Sequence, residues 1–344
     1  MNTIRYIGSK KKLIESYSDI IGGKCKEIGL DTYSFADLFA GTGVIGYAQS
    51  KESPCHKIIS NDLEYYAYII NYAVLNCSYS NNVQKIIVEL NNLADISNNV
   101  GQQQLVYNSF TNNANRPYFT EDNGRRIDVM RTEINKMLLS NKISQNEHIF
   151  LNASILSCAD YVGNTAAVYT SFLKYMKKQS QKKLVLQPIH QDEKKENQHA
   201  IHNTYAENLL DNYDVAYLDP PYNNRQYGAC YFPLNFIARY DKNIKVKGKT
   251  GLLPYNKSDF CSKQKVEKSF IALFNQIIKC GAKLVFISYS NEGLLTSDKL
   301  KEICEKFGET EIIETKHKRF QNKKEQENEV SEFLYCIKLN PSSN

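Results

Sequence analysis

Four consecutive residues, Asp219, Pro220, Pro221 and Tyr222, follow directly behind the apolar run Val215, Ala216, Tyr217, Leu218. These side chains suit a loop that handles a base-sized amino group. An exocyclic amine delocalises its lone pair into the ring and is a poor nucleophile until its hydrogens are held. The Asp219 carboxylate and the Pro220 carbonyl can accept both hydrogens and localise that lone pair. Two prolines offer no competing N–H and fix the carbonyl direction, and Tyr222 supplies a stacking face. The plainer reading is a strand end with a rigid turn, in which Asp219 is an ordinary turn acid.

A second constellation, DLFAGTGVIG over residues 37–46, places glycine at 41, 43 and 46. This GxGxxG spacing lets backbone approach a ligand where a strand turns into a helix. Glycine turns also join strands to helices without binding anything. Asp62 sharpens the case: it comes 21 positions after Gly41, at the end of the next expected strand, where an acid can hold a ribose hydroxyl. Together they indicate an adenosine-containing cofactor, either a nicotinamide dinucleotide or S-adenosylmethionine.

A third set is basic. Lys174, Lys177, Lys178, Lys182 and Lys183 punctuate one region, and KHKRFQNKK covers residues 316–324. Any one of these lysines reads as a solvated charge, but as a set they suit phosphates. Arg116, Arg125, Arg126 and Arg225 are candidates for base edges, because a guanidinium grips guanine bidentately.

The elements that must position these groups alternate. TYSFADLF reads as a strand, AGTGVIG as a turn, KIISND as a second strand and LEYYAYIINYAVL as a helix, which implies a parallel sheet. From Cys77 to Asn115 the composition shifts to Asn, Gln and Ser and the rhythm loosens. RRIDVMRTEINKMLL, EHIFLNASILSCADYV and SFLKYMKK then read as helices. After Pro188 the sheet rhythm resumes. HAIHNTYA, YDVAYLD and AKLVFISYS are candidate strands, SFIALFNQIIKC and DKLKEICEKFG are helices, and TEIIETKHKRF with SEFLYCIKL forms a terminal hairpin. The expectation is an α/β fold in two discontinuous parts: residues 1–76 and 191–344 form the sheet domain, and 77–190 form an inserted, mainly helical subdomain that faces a partner.

The 344 residues, 42% of them hydrophobic, suffice for one large or two moderate domains. No window approaches the ~18–20 uncharged apolar residues of a membrane span, and the start, MNTIRYIGSKKK, has no apolar signal core. A cytoplasmic protein without membrane contact is the expectation. The nine cysteines (25, 55, 77, 158, 230, 261, 280, 304 and 336) stand singly, with no CxxC pair, so no metal site is expected. A net charge of +6 suits a polyanion without demanding one.

FAGTG, then NDLE, then DPPY resembles the adenine-N6 methyltransferases of DNA, the DPPY class of D12 or alpha type, in which the cofactor glycines precede an insert and DPPY follows it. The N-terminal RYIGSKKKLI adds an aromatic, a glycine and a lysine (Tyr6, Gly8, Lys10) in the family's spacing. RPYFTEDNGRRIDVMRTEI, YVGNTAAVYTSFLK and PYNNRQYGACYFPLNFIARYD are similar to its restriction-modification branch. The resemblance runs from residue 4 to about 338. It implies a Rossmann-like S-adenosylmethionine-dependent methyltransferase sheet with 77–190 as target-recognition subdomain. It also implies double-stranded DNA as partner, a cognate restriction endonuclease, and a monomer or weak dimer.

Carried onto this chain, the resemblance implies cofactor contacts from Tyr6, Lys10, Phe39, Gly41, Gly43 and Asp62. Asp37 would lie near the cofactor's amino group and Asp219 between its methyl and the target amine. The family's adenine-ring contact after the third strand would be an aspartate where Tyr205 stands; Asn203, Glu207 or a backbone group can substitute. The implied reaction is direct methyl transfer to the N6 of an adenine swung out of the duplex. Competing readings are methylation of cytosine N4 or an RNA base, a nicotinamide-dependent dehydrogenase, and a non-catalytic nucleic-acid-binding subunit. The last two leave the DPPY chemistry unused, and the aspartate of DPPY favours adenine over cytosine, whose enzymes more often carry serine there.

Overall fold

A computed structural model describes residues 4, 13–52, 54–97, 103–193, 199–318 and 329–340. Seven strands form one sheet: β1 (Tyr33–Asp37), β2 (Cys55–Asn61), β3 (Ala200–His202), β4 (Val215–Leu218), β5 (Leu284–Ser290), β6 (Gly308–Lys318) and β7 (Glu329–Leu339), in the order β3-β2-β1-β4-β5-β7-β6. The first five run parallel, whereas β7 is antiparallel to both β5 and β6. Every residue of β1, β4 and β5 is buried, as expected of parallel strands covered on both faces. The chain leaves β1 toward β2 and β3, then crosses back to pair β4 on the other side of β1. That reversal opens a crevice at the carboxyl ends of β1 and β4, where ligands of doubly wound sheets bind.

Among the described residues eleven helices accompany the sheet: α1 (Ile14–Glu27), α2 (Val44–Gln49), α3 (Tyr65–Asn76), α4 (Asn81–Ile96), α5 (Tyr107–Phe110), α6 (Glu121–Leu139), α7 (Gln145–Val162), α8 (Tyr227–Cys230), α9 (Phe232–Arg239), α10 (Val266–Lys279) and α11 (Ser297–Glu305). The period-2 alternation of the strands splits the core. Phe35, Tyr217 and Phe286 pack under α1 and α2, while Ala36, Leu38, Val285 and Ile287 face α10 and α11. A third core gathers apolar residues of α4, α6 and α7 together with Tyr66, Ile69 and Ile70 of α3 and Phe232 and Phe236 of α9. The inserted segment thus shares its core with two helices that lie outside the 77–190 boundary.

Two local expectations change. The Asn-rich stretch after Cys77 does not loosen the fold, because it carries α4. Ser80 caps that helix by accepting from the Val83 amide, and Val83, Ile86, Ile87, Leu90 and Ala94 form its buried stripe. The asparagines and glutamines that blur this pattern in sequence mostly occupy the remaining faces. SFLKYMKK, in contrast, forms no helix over 171–177. The Asn164 carboxamide donates to the Leu173 carbonyl (3.1 Å) and accepts from the Lys177 amide (3.3 Å), so a side chain satisfies backbone groups that a helix would otherwise pair.

Candidate active site

The crevice at the strand reversal is a cleft whose lining includes Asp37, Phe39, Asp62, Tyr205, Asp219 and Tyr227. Each strand end contributes a group. Asp37 ends β1 in register with Tyr217 of β4, so Asp219, two residues further along, projects at the same edge. Asp62 follows β2. Pro221 lines the cleft, and Pro220 is buried beneath the loop.

The glycine turn is built as its spacing implies. Gly41 and Gly43 have φ of 50° and 74°, a region that glycine enters without a Cβ penalty. A Cβ on Gly43 would also strike the Asn71 carboxamide. Asn71, buried on α3, donates to the Gly41 and Ala67 carbonyls (3.0 and 2.8 Å) and accepts from Ser60 Oγ (2.9 Å). It staples the turn to β2 and α3, a role that its place in a helical apolar run conceals.

Asp62 works on its own backbone first. Its Oδ2 accepts from the Gly41 amide (2.7 Å) and its Oδ1 from the Glu64 amide (2.8 Å). Each oxygen keeps a second lone pair, so a ligand hydroxyl can still be accepted. Asp37 accepts from the Gly46 amide through Oδ2 (3.3 Å), while its buried Oδ1 has no protein partner. Burial, reinforced by the nearby Asp219 charge, pushes the Asp37 carboxyl up to about 8. Burial likewise raises Asp62 to about 6, against the pull of its backbone hydrogen bonds.

Glu64, part of NDLE, has no role in the resemblance, yet it also lines the cleft and is buried. Burial and the Asp62 charge raise it to about 7. It accepts from Asn235 Nδ2 (2.5 Å), and Asn235 Oδ1 accepts from the Tyr66 amide (3.0 Å), tying α9 to the first turn of α3. Three buried carboxyl groups, one of them with an oxygen that has no protein partner, thus line one cleft.

The aromatic walls are distributed differently from the sequence expectation. The Tyr222 ring packs edge-on against Tyr289, with centroids 6.5 Å apart, and Tyr222 is not among the residues lining the cleft, whereas Tyr227 is. Tyr227 stacks on Tyr231 (6.0 Å, 20°). Phe39 meets Phe260 edge to face at 5.1 Å. After β3, Tyr205 and Glu207 reach the cleft, and Asn203 instead donates to the Asp62 carbonyl (2.8 Å). Tyr6 and Lys10 lie outside the described residues, as does most of 316–324.

The arginines proposed for base edges separate. Arg126 is a correction: it is 3% exposed and donates to the Leu184 and Ala94 carbonyls (2.7 and 3.1 Å) and to Asp95 (2.5 Å), so it holds the helical layer together. Arg116 donates to the Gly248, Lys249 and Ser109 carbonyls. Arg125 lies over the Tyr107 ring at 4.6 Å and pairs with Glu121. Arg225 is exposed on the loop after DPPY. Of the lysines, Lys177 donates to the Thr165 carbonyl (2.6 Å) and Lys183 pairs with Asp95 (2.6 Å). Among the described residues no group of three or more His, Cys, Asp or Glu is arranged to hold a metal ion, and no helix is long and apolar enough to cross a membrane.

Residues 6–319 match the family model of D12 class N6 adenine-specific DNA methyltransferases. The chain is 36% identical to the type II methyltransferase M.NlaIII of Neisseria lactamica, over 97% of this chain and 99% of that protein. It is 40% identical to M.CviAII of Paramecium bursaria Chlorella virus 1, over 98% and 99%. It is 31% identical to M.FokI of Planomicrobium okeanokoites, with 97% of this chain spanning 52% of that longer protein.

Proposed function

The chain belongs to the D12 class of N6 adenine-specific DNA methyltransferases, and from that premise we propose that its strand-end cleft takes S-adenosylmethionine at Asp37, Phe39 and Asp62 and a flipped adenine at Asp219. The observation that carries this reading is the buried, unpartnered Asp37 Oδ1 in the same cleft as Asp219. A cationic amino group is the partner that such an oxygen lacks, and Asp62 has lone pairs left for ribose hydroxyls. Tyr6 and Lys10 belong to the same proposed contact set through the resemblance. Adenine is favoured by the family over cytosine N4, an RNA base or nicotinamide chemistry.

S-adenosylmethionine supplies an electrophilic methyl on a sulfonium. Asp219 and the Pro220 carbonyl accept the two N6 hydrogens and localise the amine lone pair, and Asp219 stabilises the positive charge that develops there. The prolines keep that carbonyl aimed without adding a donor. Aromatic rings of Tyr222 and Tyr227 offer faces for the extruded base. With amine and methyl held in line, positioning supplies much of the rate.

In the same reading residues 77–190 carry target recognition, with Arg125 and Arg225 as candidate base or phosphate contacts. The protein acts in the cytoplasm as a monomer or weak dimer, on a short duplex motif protected from a cognate restriction endonuclease; the relatives' names as type II methyltransferases support that partner. The test is to express the gene in a methylation-free host and sequence its DNA with modified-base detection. The expected result is N6-methyladenine at one fixed motif. Unmodified adenine throughout, from soluble protein, contradicts the reading.

A further inference from the structure

Beside the cleft runs a second groove that the chemistry above leaves unused. Its lining includes Leu63, Glu64 and Asn256, which it shares with the cleft, so the two adjoin. Further out it is lined by Arg239, Lys245 and Lys247, with Asp241, whose carboxylate accepts from the Asn243 amide and side chain, as the one exposed acid among them. All three cations are exposed, and none makes an ion pair with a carboxylate among the described residues. Arg116, Arg126, Lys177 and Lys183, by contrast, are engaged with protein carbonyls or carboxylates.

The groove is held in shape on both sides. Arg239 ends α9 with its guanidinium 4.5 Å above the Tyr65 ring, and Tyr65 stacks in turn on Tyr68 (5.7 Å, 21°). Lys247 sits in a tight turn closed by reciprocal backbone hydrogen bonds with Leu252 (2.9 and 2.8 Å). Arg116, from the inserted segment, grips that turn at the Gly248 and Lys249 carbonyls. At the other end the Gln226 carboxamide exchanges two hydrogen bonds with Ser258 (3.0 and 2.8 Å), and Cys261 donates to the Arg225 carbonyl. Gly228 lets Tyr255 approach so closely that a Cβ there would overlap its ring. Residues 241–261 therefore form a strap fastened to the insert by Arg116 and to the loop after DPPY by Gln226.

We propose that this groove binds the sugar-phosphate backbone of the DNA strand that carries the target adenine, with Arg239, Lys245 and Lys247 on its phosphates. The inference rests on the methyltransferase reading. A base that enters the cleft leaves its flanking phosphates outside it, and the groove adjoins the cleft at Leu63, Glu64 and Asn256. Three such cations on a braced scaffold suit an anionic strand and carry no base code. Because the strap is tied to both the insert and the catalytic loop, gripping the strand there fixes its register against Asp219.

The test is fluorescence anisotropy of a labelled duplex against the full chain across a salt series. It compares wild type, the triple variant Arg239→Gln/Lys245→Gln/Lys247→Gln, and a charge-matched triple variant Lys268→Gln/Lys279→Gln/Lys301→Gln. The groove triple is expected to bind cognate and unrelated duplexes on the order of tenfold or more weaker. Its log–log salt slope should fall by about 0.9 for each phosphate that the groove no longer neutralises, hence by ~2–3. S-adenosylmethionine affinity, read by calorimetry, should be unchanged, which verifies folding. Each single variant should lower the slope by about 0.9, so the test survives failure of the triple to fold. Slopes and affinities equal to those of the charge-matched triple overturn the groove assignment. A wild-type protein that neither binds nor methylates duplex overturns the functional reading instead.

Discussion

At the strand ends, Asp37, Asp62 and Glu64 are buried carboxylates held above their ordinary range, and Asp37 keeps an oxygen with no protein partner. In the helical layer the buried Arg126 donates to two carbonyls and to Asp95. Asp37 is thus left incomplete by the fold, whereas Arg126 is spent on holding its layer together; Arg131, buried in that same layer with two guanidinium nitrogens unpartnered, shows that the contrast is between these residues and not between whole layers. Incomplete burial costs free energy that a ligand can return, and saturated burial leaves nothing for a ligand to complete. Between Asp37 and Arg126 that difference, together with a place on the cleft, separates a site group from a scaffold group where residue type alone does not.

Substitutions can break that division. The largest effect is expected at Arg126→Ala, which strands two carbonyls and empties a buried volume. Chemical denaturation should show a loss of about 2–4 kcal/mol, while Arg225→Ala, on an exposed loop, should stay within about 0.5 kcal/mol. Equal stabilities would dissolve the distinction between scaffold and surface arginine.

Next in size is the titration of Asp37. Its carboxyl ionises near 8 in the folded chain against an ordinary 3.8, so below pH 8 it must shed a proton to meet a cation. S-adenosylmethionine affinity, measured by calorimetry, should rise with pH by at most about tenfold per unit up to pH 8 and then flatten. Asp219, Asp62 and Glu64 face the same cleft, so Asp37→Asn should reduce this slope without abolishing every pH effect. For folding the sign is opposite: the raised carboxyl costs stability progressively from about pH 4 to about pH 8 and costs none below.

Asn71→Ala probes the same division from the site's side. Losing the staple to Gly41 and Ser60 should lower stability by about 1–2 kcal/mol and loosen the glycine turn, so the variant should weaken cofactor binding as well as folding. A purely scaffold residue would move only the denaturation midpoint. The smallest effect is expected at Lys182→Ala, whose cation lies 5.8 Å from the exposed Tyr161 ring: less than about 0.5 kcal/mol by denaturation.

The strand ends are legible in the sequence because several constraints coincide there. Glycine spacing, an acid 21 positions on, and a proline pair behind an apolar run each mark a strand-to-loop junction, and the sheet brings those junctions together. The helical layer is less legible for particular reasons. α4 hides its buried stripe among asparagines, and SFLKYMKK has helical composition but is held open by the Asn164 carboxamide. Nothing local distinguishes buried Arg126 from exposed Arg225. Gln226 and Asn235 act through partners 32 and 171 residues away, a separation that no spacing rule encodes. Tyr222 stands out as the aromatic wall in sequence because it adjoins the prolines, whereas Tyr227, which the fold brings to the cleft, carries no such mark.

If Asp219 acts on the amine and does not merely end a strand, single-turnover methyl transfer by Asp219→Ala must reveal it. With S-adenosylmethionine and duplex affinities verified as retained, the expected rate is at least ~10²-fold below wild type. Methyl transfer within a few-fold of the wild-type rate would reduce Asp219 to a turn residue.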